Sequence, residues 1–243
     1  TLRKLVTAAR FNPSLPYLSF LCINFDAPVV KEAASWFLDG VFLNYNSSYL
    51  ERMLEQLLDE AESPEVTRFL RAVDVRIDGF RVEKSPEWRG QRVFVRHEVD
   101  GKGYELRLSE ESAGTQKLIG LAAYLMTALE RGSTVVVDEL DAKLHPKLLR
   151  FVILLFKDPA VNKNGAQLIF SSQDVSTMRN DVFRRDEIWF AARGEGEASQ
   201  LWSLADIHEA NGNLVSKNAA FDKQYLSGRY GADPYLTRIE EWD

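Results

Sequence analysis

The sequence predicts an α/β protein. A mostly parallel sheet with flanking helices follows a helical segment and a block of antiparallel strands. Three observations carry this. Short unbroken apolar runs, Thr134–Val137, Gln167–Phe170 and Glu187–Phe190, are separated by helical stretches, the pattern of a sheet covered on both faces. Residues 73–108 instead alternate apolar and polar side chains. Residues 1–70 carry leucines at helical spacing. The expected division is a helical subdomain over 1–72 and an α/β lobe over 73–243, with no internal repeat.

In chain order, Asp26-Ala27-Pro28 reads as a helix entry, with Asp26 as cap and Pro28 in the first turn, leading into Val29–Leu38. A second helix is expected over Ser48–Glu60, with Leu50, Leu54, Leu57 and Leu58 on one face. Ser63-Pro64-Glu65 opens a third that reaches Phe69-Leu70. Strands are then expected around Val73, Val75, Ile77, Phe80 and Val82, and around Val93 and Val95. Tyr104, Leu106 and Leu108 continue the pattern beyond a hairpin at Asp100-Gly101-Lys102-Gly103. A long helix runs from about Thr115 to Arg131. Its Leu118, Leu121, Ala122, Leu125, Met126 and Leu129 are better read as core than as an interaction stripe, and Gly132 closes it. His145-Pro146 opens the next helix, through Phe156.

Composition bounds the function. The 243 residues carry 30 Lys and Arg against 36 Asp and Glu, a net charge of −6, which argues against a whole-surface nucleic-acid binder. Arg184, Arg185, Arg193 and Arg229 leave a local basic patch open. Cys22 is the one cysteine, which excludes a disulfide framework and suits a reducing, cytoplasmic setting. No apolar stretch is long enough to span a bilayer, and residues 1–10 lack the apolar core of a secretory signal.

The strongest chemical signal is Thr134-Val-Val-Val-Asp138-Glu139. An apolar strand ending in two carboxylates places them at the edge of an α/β sheet where ligands bind. One carboxylate can hold Mg²⁺, and the next can orient and deprotonate a water. One helix upstream stands Glu111-Ser112-Ala113-Gly114-Thr115-Gln116. Ser112 can cap the helix, Gly114 permits close backbone approach, and the helix start offers N–H groups to an anion. Leu140-Asp141-Ala142-Lys143-Leu144-His145-Pro146 follows Glu139. His145 admits a ligand or base role, although a structural turn role is preferred. Gln167-Leu-Ile-Phe-Ser171-Ser172-Gln173-Asp174 ends the next strand.

These elements, in this order, resemble the signature, Walker B, D-loop and switch of ABC-type ATPases related to SMC and RecF proteins. The chain is similar, more narrowly, to the AAA-domain ATPases of abortive-infection phage defence, the AbiL-like group. Phe183–Phe190, Leu201–Asp206 and Tyr225–Ala232 support the narrower likeness, which is weak before residue 70 and clear from about 108 to 236. The resemblance implies the C-terminal lobe of an ATPase head that uses ATP and Mg²⁺. Two heads would close as a homodimer, or a higher oligomer, around shared nucleotide. Ser112, Ala113, Gly114, Thr115, Gln116 and Asp141 would bind nucleotide, Asp138 the metal, and Glu139 the attacking water. Gln173 stands where a switch histidine is usual; it can donate a hydrogen bond but cannot take a proton. Arg184 and Arg185 would steer anions or pair with acids, with neither preferred.

The implied output is control of a partner effector, often a nuclease, in anti-phage defence. Nucleic acid stays open as a partner, and no membrane is expected. The chain carries no cluster of Asp, Glu and His that would make it a nuclease itself. The family's Walker A run, G-x-x-x-x-G-K-[ST], does not occur in these residues. The absent initiator Met favours a P-loop lobe lying upstream, and ATPase activity is expected only if such a lobe is supplied there or by another chain. The alternative is a nucleotide-gated scaffold with little turnover.

Overall fold

The structure, a computed structural model, describes residues 16–25, 27–44, 64–73, 77–84, 91–193, 198–209 and 211–232. It divides into two compact units, Thr1–Leu144 with Leu155–Ser171, and His145–Leu154 with Ser172–Asp243.

The larger unit opens with α1 (Tyr17–Asn24) and α2 (Pro28–Gly40). Pro28 occupies the first turn of α2, as its fixed φ favours. The N-cap is Ala27, which makes no side-chain cap bond. Asp26 lies outside the described residues, as does the helix expected over Ser48–Glu60. The chain leaves α2 directly into β1 (Val41–Asn44), inside the stretch read as mostly helical. β1 runs parallel to β5 (Thr134–Val137), with Val41 opposite Thr134. On its other side β5 runs parallel to β6 (Gln167–Phe170), with Val137 opposite Phe170. The order β1-β5-β6 puts β5 in the middle of the sheet. Val135 and Val137 of β5 are buried. β6 is not covered on both faces as expected: Gln167 is exposed and Ile169 is 57% exposed.

α3 (Pro64–Ala72) buries Val66, Phe69 and Leu70 and packs against α4 (Ala113–Arg131). Between them lies an antiparallel sheet of β2 (Gly79–Lys84), β3 (Gln91–Val99) and β4 (Lys102–Arg107). The β3–β4 turn is two residues, Asp100 and Gly101, at φ 52° and 73°. Two left-handed residues match the twist of a tight hairpin, and Asp-Gly tolerates them. Lys102 and Gly103, expected in the turn, belong to β4. One face of this sheet buries Phe80 against Val95. The other carries a fork from Arg81, whose Nε and Nη2 both donate to Glu105 Oε2 and whose Nε also reaches Oε1, with the guanidinium 4.1 Å from the Phe94 ring centre. The hydrogen bond from Arg81 holds the Glu105 carboxyl below its ordinary range.

α4 is the longest described helix and is buried almost throughout from Leu118 to Leu129, a core face as expected. Gly132 ends it at φ 72°, and Asn164 Nδ2 donates to the freed carbonyls of Leu129 and Glu130. α5 (Pro146–Lys157) follows the loop after β5 and buries Leu149, Val152 and Ile153.

The second unit contains an antiparallel pair, β7 (Trp189–Arg193) with β8 (Ser199–Ser203), and the short α6 (Phe221–Leu226). This corrects the third buried strand expected over Glu187–Phe190. Arg185–Glu187 form a turn of 3₁₀ helix, and β7 lies in a separate sheet. The reason is in the residues: Trp189 and Ala191 are exposed while Phe190 is buried, the alternation of a half-covered hairpin. The core here is Ile188, Phe190, Leu204, Val215, Phe221 and Tyr230. The Phe190 ring stacks on Tyr225 at 5.7 Å and lies 5.4 Å from Tyr230. Among the described residues no helix is long and apolar enough to cross a membrane.

Candidate functional site

The site is built from the start of α4 and the ends of β5 and β6, all in the larger unit. Ser112 caps α4: its Oγ accepts the Thr115 N–H at 3.1 Å and lies 2.8 Å from the Thr115 hydroxyl. Gln116 Nε2 donates to the Glu111 carbonyl at 2.7 Å. Glu111 in turn meets His97 Nε2 of β3 at 2.6 Å, with both side chains largely buried. Ser112 and Ala113 are exposed, while Gly114, Thr115 and Gln116 are half-buried. The helix therefore begins at the surface with its positive end accessible.

Beyond β5, Asp138 and Glu139 are both exposed. Ser171, one residue past β6, binds both. Its hydroxyl donates to Asp138 Oδ1, and its Oγ accepts the Glu139 N–H at 2.8 Å. A serine hydroxyl has one proton to give and two lone pairs, so one side chain serves both bonds. The Leu140 N–H donates to the Ser171 carbonyl at 3.0 Å. The strand ends are thus cross-linked as the β5–β6 register continues past Val137 and Phe170.

Glu139 has φ 49° and Lys143 φ 64°, left-handed values that side chains without a local compensating bond rarely adopt. Two contacts from α4 reach the loop between them. Lys117 Nζ donates to the carbonyls of Glu139 at 2.6 Å and Ala142 at 2.9 Å. Burial pushes the Lys117 ammonium below the ordinary lysine range, and the charges of Asp141 and Glu139 pull it partly back. Gly114 lies so near the Lys143 carbonyl that an added Cβ would stand 2.8 Å from its oxygen. The close approach that Gly114 permits is therefore, in this chain, to the loop itself. Asp141 is half-buried within that loop.

The structure brings Ser112, Ala113, Gly114, Thr115, Gln116, Asp138, Glu139 and Asp141 into one unit and links them through Lys117, Ser171 and Lys143. Gln173 belongs to the second unit, where it is exposed. It sits in a polar turn in which Ser172 Oγ accepts the Asp174 N–H, and Asp174 accepts from the Ser176 N–H and hydroxyl.

Sequence reasoning missed Lys117 and Ser171. Lys117 stands three residues after Gly114, on the same helix face. Ser171 is the residue after β6, next in register to Asp138. Their positions can be read from the sequence, but the contacts that give them a role reach 22 to 33 residues along the chain. Arg184 forks onto Asp186 and pairs with Glu187, and Arg185 donates to the Val215 carbonyl. His145 Nδ1 accepts the Lys147 N–H at 3.1 Å, which makes it the cap of α5.

Among the described residues no group of three or more His, Cys, Asp and Glu could hold a metal ion alone. The donors at the β5 end still fit Mg²⁺ in one form. Asp138 spends Oδ1 on Ser171 and offers Oδ2, and a nucleotide-borne Mg²⁺ needs only one or two protein oxygens.

A family model described as "AAA domain, putative AbiEii toxin, Type IV TA system" matches residues 13–179. The match reaches from before α1 to just past Gln173. Phe183–Phe190, Leu201–Asp206 and Tyr225–Ala232 lie outside it. One solved chain, from "Structural biochemistry of ATP-driven dimerization and DNA stimulated activation of SMC ATPases.", aligns with a TM-score of 0.42 at 18% identity, over 65% of this chain and 89% of that one. No curated protein matches the sequence.

Proposed function

The chain belongs to this AAA-domain family, and on that premise we propose that it is the signature- and Walker B-bearing part of an ABC-type ATPase. The observation that carries the reading is one juxtaposition. The capped helix start at Ser112 and the Asp138-Glu139 strand end are held together by Lys117 and by Gly114 against Lys143.

Asp138, through Oδ2, would hold the cation. Mg²⁺-ATP, when bound, supplies the phosphoryl group and neutralises part of its charge. Glu139 orients a water and takes its proton as the water oxygen bonds to the γ-phosphorus and the bond to the β–γ bridging oxygen breaks. Ser112 and the Ala113–Gln116 turn contact the γ-phosphate of a nucleotide held by a second copy, and Asp141 lies at that interface. Closure of the dimer is then a population shift toward the ATP-bound state. The phosphate cradle comes from sequence outside these 243 residues or from another chain. The family description names a toxin of a toxin–antitoxin system, which supports an output through an effector in phage defence, in keeping with the AbiL-like resemblance.

A second reading has its own observation. Gln173, exposed after β6, cannot relay a proton. That favours slow turnover and a nucleotide-gated scaffold.

The test is Mg²⁺-ATP binding, turnover and oligomeric mass, measured on this chain and on any longer product of the same gene that carries a P-loop. Glu139→Gln is expected to lower turnover by about 100-fold or more and to trap an ATP-bound dimer. Asp138→Asn should weaken Mg²⁺ dependence first. Turnover unchanged by Glu139→Gln rejects the ATPase reading. Binding and dimerisation without wild-type turnover select the scaffold.

A further inference from the structure

We propose that Lys117 is a positioning residue for Glu139: its ammonium clamps the Glu139 and Ala142 carbonyls and so holds the loop that presents the carboxylate. The catalytic half of this inference rests on the ATPase reading above; the structural half does not.

The geometry is specific. Lys117 lies in the first turns of α4, and both its acceptors lie more than twenty residues away in the chain. They flank Asp141, so the two bonds span most of the turn from Glu139 to Lys143. At one end of that turn Glu139 holds a left-handed backbone, and at the other so does Lys143. Such a conformation persists only where surrounding contacts over-determine it. The contacts on the strand side come from Ser171, to the Glu139 and Leu140 amides. They fix the amides; on the carbonyl side the Glu139 oxygen accepts the Ala142 N–H at 3.0 Å within the turn, and Lys117 adds the bonds that tie the Glu139 and Ala142 carbonyls to α4. An ammonium suits this place because it offers three donors to converging carbonyls. A half-buried lysine whose bonds end on backbone carbonyls acts on the path of the chain. Lys117 stands five residues after the Ser112 cap that the ATPase reading assigns to a partner's nucleotide, so the same helix that would sense that nucleotide fixes the geometry of Glu139.

Two kinds of measurement test it. Without nucleotide, amide hydrogen exchange is compared between wild type and Lys117→Met. The amides of Leu140, Ala142 and Leu144 should exchange at least about 10-fold faster, while those of Val135–Val137 do not change. Lys117→Arg, which keeps the charge and several donors, should retain most of the protection. If Lys117→Met does not fold, the wild-type protein still decides: the Lys117 ammonium protons should persist in NMR after those of surface lysines have exchanged. With Mg²⁺-ATP, Lys117→Met should lower kcat about 10- to 100-fold and leave KM within about 2-fold. Added to Glu139→Gln, it should cause no further loss, because both act through one group.

Unchanged loop exchange, or a rapidly exchanging ammonium, overturns the clamp. A loss confined to KM, or a full extra loss in the double variant, overturns the link to Glu139. If Glu139→Gln itself leaves turnover intact, the ATPase reading fails instead, and the exchange result still decides the clamp.

Discussion

Gly114→Ala separates two reasons for a glycine at this position. If Gly114 serves only to let a ligand approach, alanine costs nothing before ligand is present. It should then stabilise by about 0.5–1 kcal/mol, because alanine loses less conformational freedom in a helix. The structure predicts the opposite sign. The new Cβ would stand 2.8 Å from the Lys143 carbonyl oxygen, closer than a Cβ can approach without something shifting. That oxygen is on backbone, and Lys143 is already at φ 64°, so it has little room to give. Overpacking of this kind costs about 1–3 kcal/mol. Set against the helix gain, the net is a loss of up to about 2.5 kcal/mol. In a chain of this length that lowers Tm by up to about 10 °C. The assay is thermal and urea unfolding of Gly114→Ala against wild type, both without nucleotide. A rise in stability of the helix-propensity size would refute the close approach to Lys143.

Other expectations follow from single contacts. Gly132 and Gly165 share φ 72°, yet a Cβ at 132 runs into the Asn164 carbonyl while one at 165 meets nothing. Gly165→Ala should therefore cost only the left-handed strain, about 1–2 kcal/mol, and Gly132→Ala about 1–3 kcal/mol more, read by urea unfolding; equal costs would contradict the geometry. Ser171→Ala removes the hydroxyl bonds to Asp138 and to the Glu139 amide but keeps the Leu140 bond to the Ser171 carbonyl. Stability should fall by about 1 kcal/mol, with faster amide exchange at Glu139 and unchanged exchange at Leu140. Burial raises the Tyr230 hydroxyl to about 12, and that hydroxyl donates to Gln224. Its folded value exceeds its unfolded one, so its contribution is complete below pH 10 and is lost as pH rises toward 12. Unfolding of the second unit in Tyr230→Phe should lack that alkaline slope.

What was legible in the sequence was local. α4 was legible because its leucines keep a helical period and Ser112 and Gly132 mark its ends. The Asp100-Gly101 hairpin was legible because the turn needs residues that tolerate positive φ. β5 was legible because three valines precede two acids. β1 was not, because Val41-Phe-Leu-Asn44 is only four residues long and, although Asp39-Gly40 marks the end of α2, so short an apolar run does not by itself announce a strand. Its partner, β5, is some ninety residues away in the chain. The run at Glu187–Phe190 misled for a related reason: an apolar cluster does not say which sheet it joins. In the sequence Lys117 is one more polar residue in an amphipathic helix, and Ser171 only the end of a strand. Their roles lie in contacts 22 to 33 residues apart, which composition and period do not record.

The described residues include three left-handed positions that are not glycine, Asp100, Glu139 and Lys143, and the comparison between them sets the loop after β5 apart. Asp100 is the cheap case, since a two-residue hairpin demands that backbone and aspartate tolerates it. Glu139 and Lys143 have neither excuse. Each costs about 1–2 kcal/mol over an ordinary conformation, and they bracket a five-residue loop. Besides the loop's own Ala142 N–H to Glu139 carbonyl bond, that cost is met by bonds from Ser171 after β6 and Lys117 in the second turn of α4, and by the room the bare Cα of Gly114 leaves for the Lys143 carbonyl. A loop needed only to join β5 to α5 has no use for such an arrangement, because relaxed turns of that length are common. Strain held by three separate elements fixes where the Glu139 backbone lies, and this is the arrangement a water-activating carboxylate requires if its position is to be set before the substrate arrives.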